Sequence, residues 1–163
     1  MKLEKKMIII VVIGCLGLLN CRPDLTVSID GAKNSYREGE DAGASLKIIV
    51  YNKGSTKALG TNDAGADGYM VDLVLSTDMH VPVQFVVLPI PYTFTEDMLL
   101  KGGRISNTVT LAPGQSKTYL VGGEIPRGSP SAAYLCAVVD PGKKIDESDE
   151  NNNTDFRPVN ILP

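Results

Sequence analysis

The densest concentration of metal-binding chemistry in this 163-residue chain lies between Asp146 and Asp155, where Asp146, Glu147, Asp149, Glu150 and Asp155 stand among Asn151, Asn152 and Asn153. Hard cations such as Ca²⁺ take about six to eight oxygen ligands, and carboxylates mixed with side-chain amides in one turn can supply them. Asp146, Glu147, Asp149 and Glu150 are therefore the candidate calcium ligands. Their spacing fits no EF-hand loop. The stretch from Thr61 to Asp72 fails too, because Gly65 and Val74 fall at the third and twelfth positions of a loop starting at Asp63. The same composition also serves as a solvent-facing acidic hairpin whose asparagines shape the turn.

Other chemistries find little support. The chain has a single histidine, His80, and a cysteine–histidine nucleophile would require it to reach Cys136, which sits inside an apolar run. One His and so few Cys are too few for the usual zinc site. Gly102-Gly103 reads as a turn rather than a phosphate loop, since no helix follows it. The carboxylates of the acidic segment crowd onto one loop instead of facing each other across a cleft, as glycoside hydrolysis requires. The chain is thus expected not to be an enzyme. With 16 Lys+Arg against 19 Asp+Glu and no basic cluster, it is not expected to bind nucleic acid.

The N-terminus reads as an address. Lys2, Lys5 and Lys6 precede thirteen apolar or Gly residues, Met7 to Leu19. A membrane-crossing helix needs about 20 residues, so this run has the length of a signal h-region. Leu18-Leu19-Asn20-Cys21 then resembles the lipobox of bacterial lipoproteins, with Asn20 where that family favours a small residue. The resemblance implies cleavage after residue 20 and diacylation of Cys21. A plain secretory signal or an uncleaved anchor are the alternatives. Two or three acyl chains hold a protein at a membrane firmly, where one does not. Residues 1–20 are accordingly expected to be a lipoprotein signal peptide and residues 21–163 the folded domain. That remainder has 13 basic and 18 acidic side chains, a net charge of −5.

From Pro23 onward the apolar period becomes two. Leu25, Val27 and Ile29 alternate with polar residues, as do Leu46, Ile48 and Val50. Further candidate strands are 70–76, 83–88, 104–111, 116–121, 132–139 and 156–161, separated by Gly- and Pro-containing turns. No sustained helical stripe is present. Seven to eight short strands at this spacing predict an all-β, immunoglobulin-like antiparallel β-sandwich. Tyr134, two residues before Cys136, has the placement of a tyrosine corner. No cysteine lies in the strand that would supply its disulfide partner, so Cys136 is expected to be a small buried hydrophobe.

PDLTVSI at Pro23, YNKGS at Tyr51, VLSTD at Val74, LAPGQS at Leu111 and especially YLCAVVDPGKKIDESDENNNT from Tyr134 occur in the order seen in the CARDB family. These are cell-adhesion-related immunoglobulin-like domains of bacterial and archaeal surface proteins, and the resemblance covers nearly everything after Cys21. It implies a non-enzymatic binding or adhesion module, here exported to the cell envelope and held at a membrane by a lipid on Cys21. A protein or carbohydrate of the envelope would be its ligand. The alternative is a structural or accessory subunit of an envelope complex. The segment from His80 to Leu99 is longer than the family core needs. It is expected either to pack on the sandwich or to form a contact patch.

Overall fold

The computed structural model describes residues 21–81 and 94–163. Among the described residues, eight strands form two sheets. β1 (Leu25–Asp30), β3 (Lys47–Asn52) and β6 (Ser116–Leu120) make a three-stranded sheet in the order β1-β3-β6. β2 (Ser35–Arg37), β4 (Val71–Ser76), β5 (Met98–Ile105), β7 (Ala132–Val139) and β8 (Thr154–Leu162) make a five-stranded sheet in the order β2-β8-β7-β4-β5. β1 packs across the sandwich onto β7 and β8. The all-β sandwich expected from the two-residue period is what forms.

Alternation dictates the core. Leu25, Val27 and Ile29 of β1, Ile48 and Val50 of β3, and Leu135, Ala137 and Val139 of β7 all point between the sheets. The opposite face of the five-stranded sheet carries its own apolar cluster of Val74, Leu99, Cys136 and Val138, with Val81, Tyr134 and Phe156 against it. A strand apolar on both faces shows no alternation, which is why β7 reads as a continuous hydrophobic run.

Three expectations change. The strand placed at 104–111 runs instead from Met98 to Ile105, and Gly102-Gly103 lies inside it rather than turning the chain. Gly102 takes φ +84° and a Cβ on Gly103 would lie 2.7 Å from the Leu73 carbonyl oxygen, at the place where the β4–β5 register shifts. The glycine pair thus forms a bulge. Second, β2 pairs with β8 in parallel, so the five-stranded sheet is not wholly antiparallel. Three residues are too few for a periodic signal.

Third, Tyr134 lies on the outer face beside Cys136 instead of closing a corner. Tyr69 makes a long-range link of a different kind: its hydroxyl donates to the Val109 carbonyl at 2.7 Å and meets the Tyr119 hydroxyl at 3.0 Å. The candidate strand at 83–88 falls outside the described residues.

Candidate functional site

The site grows from the end of β7. Asp140 takes φ +48° and starts a tight turn closed by the Lys143 N–H on its carbonyl at 3.0 Å. Its buried carboxylate accepts the N–H groups of Lys144 at 3.1 Å and Ile145 at 2.7 Å. Burial pushes the Asp140 carboxyl up, against those two bonds. Ile145 then plugs into the main core. It fixes where the following acidic residues emerge.

Glu147 follows, only 3% exposed. One of its oxygens accepts the main-chain N–H of Leu25, and the other accepts the Asn153 amide at 2.8 Å. Burial raises its carboxyl to about 7, more strongly than these two bonds lower it, and the neighbouring Asp140 and Glu150 add to the rise. The Glu147 N–H in turn donates to Glu150 Oε1 at 3.2 Å. Asp24, just ahead of β1, accepts Ser148 Oγ at 3.0 Å and Asn152 Nδ2 at 2.9 Å, with Lys53 Nζ at 3.7 Å.

The acidic turn is therefore wrapped around the entry to β1. Ser148 N–H donates to the Pro23 carbonyl at 2.9 Å, and Arg22 pairs with Asp146 at 2.9 Å. Further along β8, Asp155 accepts the Ile29 N–H at 2.8 Å while Arg157 donates to the Ile29 carbonyl at 3.1 Å. Leu25 and Ile29 belong to an edge strand, and side chains from the turn and β8 occupy hydrogen-bonding groups that a foreign strand would otherwise use.

Of the four candidate calcium ligands, the fold keeps two near each other and turns two away. Glu147 and Glu150 share the interior of the turn. Asp146 is exposed and paired with Arg22. Asp149 is spent on the Asn151 N–H at 3.0 Å and its side-chain amide at 3.2 Å, which hold its carboxyl below the usual range. Among the described residues, no three Asp, Glu, His or Cys side chains converge as a metal cluster. Sequence spacing missed Asp24 and Asp140, which β1 and β7 carry into this end of the sandwich, and it noted Asn152 and Asn153 only as amides of the acidic stretch.

The candidate nucleophile fares differently. Cys136 is fully buried in the outer cluster, and burial pushes its thiol far up. His80 is exposed in the loop after β4.

A sandwich whose β7 runs into this acidic turn before the final strand is the pattern that the sequence resemblance implied. The CARDB family model matches residues 22–156. The chain belongs to the CARDB family. Among solved structures, it is similar to the CARDB domain of a Pyrococcus furiosus protein crystallised in complex with di-metal ions, at 20% identity and a TM-score of 0.55. That match covers 86% of this chain and 94% of the other. A solution NMR structure of the Pyrococcus furiosus CARDB domain matches at 19% identity and a TM-score of 0.53, covering 86% and 96%. No curated protein matches the chain. At this identity the likeness establishes the CARDB fold.

Proposed function

We propose that this CARDB protein is an exported, non-enzymatic binding module of the cell envelope, held at a membrane by a lipid on Cys21, with an envelope protein or carbohydrate as its ligand. The observation that carries this reading is the polarity of the sandwich about Cys21. Cys21 is exposed, and Arg22, Pro23 and Asp24 behind it are gripped by the acidic turn and by Lys53 and Ser55. β4 pairs Val71 with Val139 and Ser76 with Tyr134, so it leaves the sheet at the end opposite the acidic turn. Residues 77–81, including the exposed Met79 and His80, therefore lead away from a membrane that holds Cys21.

A rigid scaffold with one end tethered and loops at the other suits binding. The charged groups of the site accept main-chain and amide N–H groups, which favours a structural over a catalytic use of them. Intact mass of the protein extracted from membranes should show the chain starting at Cys21 with two or three acyl groups. Cys21→Ala should move it from the membrane to the soluble fraction. A Cys21→Ala protein that stays in the membrane fraction would overturn the lipid anchor.

A further inference from the structure

Among the described residues, the buried side-chain oxygens left without a hydrogen-bond partner are Glu150 Oε2, Asn152 Oδ1 and Asn153 Oδ1. All three fall within four consecutive residues. A buried acceptor without a donor is costly, and native structures hold few of them, so three in one turn call for a common explanation.

The hydrogen-bond network fixes which way these groups point. Asn153 is 8% exposed, and its Nδ2 donates to Glu147. Rotating that amide would set its oxygen against the Glu147 carboxylate. The Nδ2 of Asn152 is likewise committed to Asp24 at 2.9 Å. Each amide therefore directs its oxygen away from the carboxylate it serves. Glu150 is held by the Glu147 N–H on Oε1, which leaves Oε2 free. The unused groups are all acceptors. Two carbonyl oxygens and one carboxylate oxygen within four residues are the acceptors that a partner with concentrated positive charge and no acceptor of its own takes.

We propose that the turn from Glu147 to Asn153 is a site for a hard divalent cation such as Ca²⁺, with Glu150 Oε2, Asn152 Oδ1 and Asn153 Oδ1 as its protein ligands. Water completes the coordination. Glu147 and Asp24 orient the two amides from behind, as outer-shell groups do around metals. Asp146 and Asp149 take no part. A cation here would also tie the acidic turn to β1 through Glu147 and Asp24. Metal binding would then stabilise the fold.

The test is thermal unfolding of the full chain in chelator and across a Ca²⁺ titration. The melting temperature should rise and saturate at about 10⁻⁴ to 10⁻³ M, the range of extracellular calcium modules. Glu150→Gln keeps the shape of the side chain and should move the midpoint up by about tenfold or more, whereas Asp146→Asn should leave it within about twofold. Asn152→Ala provides a second ligand variant if Glu150→Gln does not fold, with a midpoint shift of the same size expected. No rise at about 10 mM Ca²⁺ would mean that water satisfies the three oxygens, and would overturn the site. A midpoint that moves with Asp146→Asn but not with the ligand variants would place the ion elsewhere and overturn it equally.

Discussion

The carboxylate of Glu147 accepts the main-chain N–H of Leu25, the first residue of β1, across 122 positions of sequence. Its other oxygen takes the Asn153 amide at 2.8 Å. One buried side chain thus joins the opening strand to the closing turn. Glu147→Ala strands two buried donors and should cost about 1–3 kcal/mol, read as a lower urea midpoint at unchanged slope. Glu147→Gln retains one acceptor oxygen and should lose less than Ala. Equal losses for the two variants would mean that packing, and not hydrogen bonding, sets the contribution of Glu147.

Arg104 and Asp72 form a two-pronged ion pair across β4 and β5, at 2.8 and 2.6 Å. The Asp72 side chain is 0% exposed and that of Arg104 35%. Removing the cation leaves a buried charge uncompensated. Arg104→Ala should destabilise by about 2 kcal/mol, less than the roughly 3–5 kcal/mol of a fully enclosed pair because one side of the guanidinium meets water. Asp72→Ala in the Arg104→Ala background should recover part of that loss. A double-mutant cycle measures it, and strict additivity would deny the coupling.

Cys136 should behave as a hydrophobe. It lies between Val74 and Phe156 in the ladders of the five-stranded sheet and is wholly enclosed. An aromatic disulfide reagent should leave its thiol untouched in the native protein and modify it once denaturant unfolds the chain. Rapid modification under native conditions would show that the outer apolar cluster opens.

Asp41 sets part of the acid limb of stability. It accepts the N–H groups of Gly123 at 2.9 Å and Gly43 at 2.8 Å, and these hold its carboxyl below the ordinary value. A folded-state value below the unfolded one contributes stability above about pH 3.8 that is lost as pH falls through the folded value. Asp41→Asn removes this titration. Its melting temperature should therefore fall less than that of the native chain between about pH 4 and pH 2, and a parallel fall would assign the acid sensitivity elsewhere.

Period-two alternation in β1 and β3 and the unbroken apolar run of β7 sufficed to read an all-β sandwich before any coordinates, because burial on one face or on both imprints directly on residue order. Motif order likewise pointed to the CARDB family. β2 escaped because three residues carry no period. β5 was displaced because a glycine pair marks a bulge and a turn with the same letters.

The site was half legible. An acidic stretch rich in asparagine announces oxygen chemistry, and Glu147 and Glu150 were among the residues it singled out. Composition says nothing about which oxygens are already occupied. Asp146 and Asp149 look equivalent to Glu150 in sequence, yet an arginine at position 22 takes one and the turn's own amides take the other. Asp24 joins the site from more than a hundred residues away because β1 lies against β7 and β8.

What residue order determined by itself was the class of fold, the family and the chemical character of the turn, since these follow from local periodicity and composition. Tertiary structure alone decided that the turn clasps the residues behind Cys21, and that the chain after β4 leaves from the far end. It also decided which acceptors are left without donors. Those properties depend on which distant strands lie side by side, and hydrogen-bond satisfaction is a sum over neighbours that only the folded chain brings together.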